Sequence, residues 1–524
     1  MTRTRRDFLR AVAAVGGYRA AYVTMQAMGL IPAAAVAEPL ALERGARHGT
    51  KVVILGAGVA GLSAAYELDK AGYDCVVLEA RNRSGGRNWT LRGGDKLEMT
   101  DGTVQACDFD KGLYWNAGPA RLPSHHQTVM GYCRELGIPL EVEVNTARGA
   151  SLLNPAANGS KPIEMRQAIN DARGELSELL GKAIDRGALD QELTAQDKER
   201  MFAFLKRYGD LTPDMVYKGS SRSGYKIRPG AGDRVGVRRD PVPLEVLLDA
   251  DLWNGVIFEE LIDQQATMFQ PVGGMDRIPM AFEKRLGKVV RHQCEVTEIR
   301  RAGDGVRISY RDKKTNRSNA VEAAYCVSTI ALTVLTKIPS DFSPSYATAI
   351  ANIHYHESVK VAWQSRRFWE MDYDIYGGIS WVKDITNMVW YPSAGMFAQQ
   401  GIILGAYASG KDGELLAAKP LQEQFELTRA VIERLHPGHG GELRKPMAIA
   451  WSKVPYSLGA SAEYTPEQSL LGKTTEYTLL GQPDGPFYFA GDYLSHVGNW
   501  QEGAMTSARR TINMIDERRR MAKS

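Results

Sequence analysis

The segment from Lys51 to Arg87, KVVILGAGVAGLSAAYELDKAGYDCVVLEARNRSGGR, constrains the fold more than any other part of the chain. Val52 to Leu55 is an apolar run suited to a strand buried on both faces, and Gly56, Gly58 and Gly61 follow it in G-x-G-x-x-G spacing. Backbone without side chains can turn sharply there, approach a pyrophosphate and let the next helix pack closely on the strand. That helix is predicted to begin near Ala60, with Leu62, Ala65 and Leu68 on one face, so that its positive N-terminal end meets the phosphates. A second apolar run, Cys75 to Leu78, ends in Glu79, where a carboxylate can bind the 2′ and 3′ hydroxyls of an adenosine ribose. Glycine turns are common alone; strand, turn, helix, strand and terminal acid in this order read as a dinucleotide-binding unit.

A chain of 524 residues exceeds one compact core, so two or three domains are expected. Its apolar fraction of 44% and charged fraction of 24% fit a globular enzyme and exclude a disordered or fibrous protein. A net charge of +4 gives no reason to expect nucleic acid or an anionic membrane as partner. Cys75, Cys107, Cys133, Cys294 and Cys326 are odd in number and contain no C-x-x-C, which suggests neither a disulfide framework nor zinc. The histidines, His125-His126 and His354 with His356 among them, carry no metal spacing and read as ordinary helix or strand residues.

Thr4 to Arg10, TRRDFLR, reads as a twin-arginine export signal ending near the A-x-A of Ala35-Val36-Ala37, so residues 1–37 are expected to be a leader. Export in the folded state suits a protein that takes up its cofactor in the cytoplasm. The expected location is periplasmic or secreted, or cytoplasmic if the leader does not function. No stretch reaches the roughly 18 uninterrupted apolar residues of a membrane span.

Further along, Gly94-Asp95 and Asp101-Gly102 mark hairpins, and a helix is predicted from about Ser124 to Leu136. Ile163 to Tyr208 has helical periodicity, with Leu176, Leu179, Leu180 and Ala183 as an apolar stripe expected in the core. Lys218 to Pro241 mixes glycine and arginine without interleaved aromatics, so it reads as a long loop over or near a site and not as an RNA-binding segment. Three strand-like runs lie between Val289 and Ile330, and a strand-rich block from Ser358 to Ser409. Leu421 to Leu435 is an amphipathic helix, Phe487 to Ala490 a last strand, and Trp500 to Arg519 a closing helix. Gly405 to Gly410 has the wrong spacing for a second nucleotide turn, which points to electrons drawn from a substrate and passed to oxygen without a nicotinamide.

With these blocks in view, the chain from about Lys51 onward resembles the flavin-dependent amine oxidases, the family of monoamine, polyamine and L-amino acid oxidases. The resemblance rests on Glu79, Ala80, Arg81 with Ser84-Gly85-Gly86-Arg87, on Gln270 to Met275, on Cys294-Glu295-Val296, on Trp451 with Gly459-Ala460, and on Phe489-Ala490-Gly491-Asp492. It implies FAD, held by Gly56, Gly58, Ala60 and Gly61, by Glu79, Ala80, Arg81, Gly85, Gly86 and Arg87, and by Val296 at the adenine. It extends the cofactor contacts to Gly118, Pro119, Ala120 and Arg121, to Gly491 and Asp492, and to Trp500, Gly503 and Ala504. Relatives carry glutamate where this chain has Asp492, one methylene shorter. The cysteine that tethers flavin in monoamine oxidases is absent, so FAD is expected to be non-covalent.

The same resemblance assigns the substrate end. An amino acid brings a carboxylate that must be paired when buried, and arginine is a planar two-pronged donor for it. Arg121 in Gly118-Pro119-Ala120-Arg121 sits where L-amino acid oxidases have that arginine, and Tyr391 resembles the tyrosine that gives the second carboxylate contact. Lys360 looks like the lysine that holds a water near flavin N5. Trp500 resembles the aromatic beside the ring, with the Asn499 carbonyl accepting from the substrate amine. The implied activity is oxidation of L-amino acids by O2 to 2-oxo acid, ammonia and hydrogen peroxide; an L-amino acid 2-monooxygenase, an amine or polyamine oxidase and a flavin-binding protein without turnover remain open. A homodimer or larger homo-oligomer is implied as well.

The expected architecture is α/β. Residues 45–120, 261–335 and 446–520 would form a Rossmann-like FAD-binding domain, 121–150 and 336–445 a mixed-sheet substrate domain, and 151–260 a helical insertion.

Overall fold

Alternate side chains of the Lys51–Leu55 strand (β1) leave opposite faces of its sheet, and both faces are covered. Val52 and Ile54 enter one apolar cluster, Val53 and Leu55 another, which is why the run carries no polar residue. β1 pairs in parallel with Asp74–Glu79 (β2) and with Tyr325–Ser328. Val290–His292 and Phe487–Phe489 complete an all-parallel five-stranded sheet whose strands come from three distant parts of the chain. The Val59–Lys70 helix (α1) and the Gln501–Met521 helix cover one face. A three-stranded antiparallel sheet, Cys294–Ala302, Gly305–Asp312 and Arg317–Ala323, covers the other. The computed structural model describes residues 40, 42, 45, 47–470 and 473–521, so the predicted leader lies outside the described residues.

A second, mixed sheet of seven strands faces the first. Its order is Ile163–Glu164, Ser151–Leu153, Gly378–Val382, Met388–Tyr391, Gln400–Ser409, Ser358–Arg366, Arg444–Ala450. One face, with Val359, Val361, Val389 and Tyr391, packs on the Leu421–Leu435 helix. The other, with Ala362, Trp390 and Leu404, packs on Leu91, Trp115 and Trp451. A small antiparallel sheet of Leu122–Pro123, Met268–Pro271 and Leu140–Glu143 bridges the two. The fold is thus mixed α/β with a Rossmann-like core. Sheet membership differs from the segment boundaries read from sequence at three places: Ser151–Leu153 and Ile163–Glu164 belong to the seven-stranded sheet, as does all of Arg444–Ala450, and Met268–Pro271 joins the bridging sheet.

Two sequence expectations are corrected. The helices of the insertion are Met165–Asp185 and Ala195–Tyr208, but Leu176 and Leu179 are 55% and 50% exposed, and Leu180 is exposed too. Ala168, Ile169 and Ala172 are the residues buried against the sheet, and the second helix buries only Leu205, so it is too polar to cover the stripe. The glycine-arginine segment makes a short hairpin, Tyr225–Ile227 with Val237–Arg238, and none of its residues lines the main cavity. No described helix is long and apolar enough to cross a membrane. All five cysteines are buried and free.

Candidate active site

A cavity of about 1020 Å³ runs from the glycine turn to the face of the seven-stranded sheet. At one end Gly56, Gly58 and Ala60 line it, and the first turn of α1 has Gly58 as N-cap with no side chain capping its N–H groups. Those donors and the positive end of the helix are free for an anion. Gly61 stands behind the wall: a Cβ there would sit 2.1 Å from the Gly56 carbonyl oxygen, so its role is close packing and not contact. Glu79 Oε2 accepts from Ala57 N and Oε1 from Arg81 N, both at 2.9 Å, which fixes the carboxylate at the cavity wall with lone pairs to spare. Ala80 and Val296 line the same end.

Midway, Gly85, Gly86, Arg81, Arg87, Gly491 and Asp492 form the wall. Arg87 and Asp492 make a two-pronged pair, with Nη1 to Oδ2 at 3.0 Å and Nη2 to Oδ1 also bonded, and Arg87 Nη1 reaches the Ala460 carbonyl at 2.5 Å. The shorter acid therefore meets Arg87. Arg81 Nη2 bonds Ser457 Oγ at 2.8 Å and the Pro455 carbonyl at 2.5 Å. Arg81 is balanced by Glu79, 3.8 Å away, and Arg87 by Asp492, so the two arginines offer a diphosphate the remaining N–H donors of their guanidinium groups next to the glycine backbone.

At the far end are Lys360, Tyr407, Asn499, Trp500 and Ala504, with Gly118 and Pro119. Gly118 is required there, since a Cβ would lie 1.8 Å from the Arg87 carbonyl oxygen. Gly503 packs against the Val497 carbonyl and Ala120 against the cluster of Leu91, Trp115 and Trp451; neither lines the cavity. Lys360 is buried and donates to the carbonyls of Asn116, at 3.2 Å, and Gly118. Burial first, and the charge of Arg121 second, lower its pKa to about 7. A neutral amine keeps two N–H donors for those carbonyls and has a lone pair left to accept a proton. Its Nζ lies 4.5 Å from the Tyr407 ring centre.

Arg121 sits beside this chamber in an aromatic box. Its guanidinium carbon is 4.6 Å from the Trp390 ring centre, 5.5 Å from Phe258 and 6.0 Å from Trp500. Nη1 donates to Asn145 Oδ1 at 2.5 Å, and Asn145 Nδ2 donates to the Gln264 carbonyl at 2.8 Å. Among the described residues no carboxylate forms an ion pair with it, although Glu143 is close enough to act on it electrostatically.

Tyr391 is not in this chamber. Along a strand neighbours alternate, so Tyr391 points into the core with Val389 while Trp390 faces Arg121 and Lys360. The Tyr391 hydroxyl is spent on Ser380 Oγ at 2.8 Å and His436 Nε2 at 2.6 Å. Tyr407, stacked with Trp390 at 6.0 Å between ring centres, lines the cavity beside Lys360. Trp390 was one residue from the expected position. Asn145, Glu143 and Phe258 come from segments without a motif, and no local pattern marks them.

His126 packs edge-on against Trp500, and His125 and His126 each bond Asp263 Oδ1, at 2.9 and 3.1 Å. The histidine expected to be ordinary thus braces the tryptophan, and with Asp263 the pair forms the one described group of metal-ligand type. His356 lines the cavity and bonds Ser461.

The family described as flavin containing amine oxidoreductase matches residues 59–512. An L-amino-acid oxidase of Siganus canaliculatus is 27% identical over 478 residues, covering 89% of this chain and 85% of that protein. One from Protobothrops flavoviridis is 27% identical over 504 residues, with coverage of 90% and 92%. Among solved structures, putrescine oxidase bound to putrescine superposes with a TM-score of 0.58 at 18% identity, and cyclohexylamine oxidase from Brevibacterium oxydans with 0.59 at 15%; each comparison covers 90% of this chain and 99% of the other. Fold, cavity and family agree, and the chain belongs to the flavin containing amine oxidoreductases, FAD enzymes that act on the CH–NH2 group of their donors.

Proposed function

We propose that this protein is an L-amino acid oxidase, turning an L-amino acid, O2 and water into a 2-oxo acid, ammonia and hydrogen peroxide. One observation carries the reading: Arg121 is a half-buried guanidinium, aimed by Asn145 and walled by aromatic rings, with no ion-pair partner among the described residues. A cation held so has strong need of an anion, and a simple amine substrate would not supply one.

The cofactor's adenosine ribose is assigned to Glu79, its adenine to the backbone at Val296, its diphosphate to the Gly56–Gly58 turn, Arg81 and Arg87, and its ring to the end at Lys360 and Trp500. Bound FAD supplies the two-electron oxidation of the substrate and the return of those electrons to oxygen. The rest is done by side chains. Arg121 takes the carboxylate and so fixes which way the Cα–H and amine face, a placement that removes much of the entropic barrier. Trp390, Phe258 and Trp500 keep water from the ion pair, which strengthens it. The Asn499 carbonyl accepts from the amine. Lys360, neutral above about pH 7, holds a water at the ring end of the cavity. Export through the leader and assembly as a homodimer or larger homo-oligomer belong to the same reading.

The test is a peroxide assay of the purified holoenzyme against each common L-amino acid, with mass spectrometry of the product. A 2-oxo acid with peroxide supports the oxidase. An amide with carbon dioxide would mean a 2-monooxygenase, turnover of amines unaffected by Arg121→Met an amine oxidase, and no anaerobic bleaching of the flavin absorbance a binding protein.

A further inference from the structure

Glu143 is a second charge, buried beside the substrate chamber behind Trp390, that none of the cofactor or substrate roles uses. It ends the Leu140–Glu143 strand, is 4% exposed, and accepts from Trp390 Nε1 through Oε1 at 3.2 Å. Its Oε2 is buried with no partner. The groups that face it are Arg121, Trp390 from the neighbouring sheet, and beyond them Lys360 and Tyr407. Glu141, two residues back, bonds Gln270 Nε2 at 3.0 Å, and Asp263 is held by His125 and His126. So one cation, Arg121, has one resident carboxylate near it that does not touch it.

We propose that Glu143 is the resident counter-charge of Arg121 and takes up a proton when a substrate carboxylate arrives, so that the chamber never holds two anions against one cation. The inference rests on the amino acid reading above. Two carboxylates around one half-buried guanidinium repel, and the one without its own hydrogen-bond donor at Oε2 is the one that gains by protonation. Burial already lifts the Glu143 carboxyl to about 7, with Arg121 opposing. The proton balance follows from the ligand. An amino acid brings an ammonium that must become a neutral amine before its Cα–H bond is broken; that proton moves to the Glu143 carboxylate, giving a carboxylic acid, and none is exchanged with solvent. A carboxylate without an amine has no proton to give, so the same event draws one from the buffer. Glu143 is here a positioning residue that acts through Arg121.

The probe is benzoate, titrated calorimetrically into the holoenzyme at pH 8 in buffers of different ionisation enthalpy. The native enzyme is expected to take up close to one proton per benzoate, with affinity falling towards tenfold per pH unit above neutrality. Glu143→Gln should bind with no uptake, and Glu143→Asp should restore it. Lys360→Met should leave the uptake intact, since Lys360 is the other group able to take the proton. Benzoate binding without uptake in the native enzyme overturns the proposal by itself, even if Glu143→Gln does not fold; so does uptake that persists in Glu143→Gln or disappears in Lys360→Met. Failure of benzoate to bind the native enzyme, or equal binding by Arg121→Met, overturns the amino acid reading and this proposal with it.

Discussion

Asn145 Oδ1 accepts from Arg121 Nη1 at 2.5 Å, so the direction of the guanidinium is set by an amide that is itself tied to the Gln264 carbonyl. Removing the charge and removing its aim are separable experiments. Arg121→Met is expected to lower kcat/KM for the best L-amino acid by roughly a hundredfold or more, the scale of a buried charged hydrogen-bonded contact. Asn145→Ala keeps the charge and frees its orientation, and should raise KM by about tenfold with a smaller change in kcat. Steady-state kinetics on both variants check this; equal loss in kcat alone would count against a carboxylate-binding role.

Tyr391 gives a second prediction, because its hydroxyl lies on the opposite face of the strand from Arg121. Tyr391→Phe removes bonds to Ser380 and His436 in the dry core, and His436 is neutral there, its pKa pushed by burial to about 3. The expected cost is about 1–3 kcal/mol of stability from partners left unsatisfied. KM for amino acids should not move. Urea unfolding and kinetics on one preparation suffice, and a KM raised severalfold without loss of stability would return Tyr391 to the substrate.

That one-residue difference shows where sequence was readable and where it was not. The cofactor end depends on backbone closeness, which the chain writes locally: Gly56 and Gly61 are five residues apart, and the clash that forbids a side chain at Gly61 is with Gly56 itself. The face that a strand residue occupies depends on what packs on each side, so Trp390 and Tyr391 could not be told apart by their neighbours in sequence. Glu143 and Asn145 come close to Arg121 through the Leu140–Glu143 strand, because Met268–Pro271 pairs with it on one side and with Leu122–Pro123 on the other, a register that no local pattern announces. The stripe at Leu176, Leu179 and Leu180 has the spacing of a buried face, but its partner helix offers only Leu205 to cover it.

Arg87 and Asp492 meet 405 residues apart in sequence and close the middle of the cofactor channel. Asp492→Ala would leave the half-buried Arg87 without its ion-pair partner, at a cost of about 1–3 kcal/mol. The variant should purify with less flavin, seen as a higher ratio of absorbance at 280 to 450 nm, and should melt lower even when FAD is added in excess. Asp492→Glu should retain most of the flavin. Because no residue is assigned as a tether, acid precipitation should release all the yellow colour into the supernatant; colour kept in the pellet would mean a covalent bond.

Lys360 and Glu143 should bend the stability of the protein with pH in opposite senses. Lys360 falls from 10.5 to about 7 on folding. Between those values the unfolded chain binds a proton that the folded one refuses, so its contribution is present above 10.5 and lost as pH falls to about 7, about 5 kcal/mol in all. Glu143 rises from 4.5 to about 7, so the folded chain holds a proton the unfolded one has released. Its contribution is full below 4.5 and lost as pH rises through about 7, about 3 kcal/mol. Difference curves, native minus variant, isolate each group from the rest of the protein. In urea unfolding, Lys360→Met should gain on the native protein as pH drops from 10 to 7, and Glu143→Gln should gain as pH climbs from 5 to 7. Parallel curves for either variant would mean that its side chain meets water in the folded state, and would overturn this account of that group.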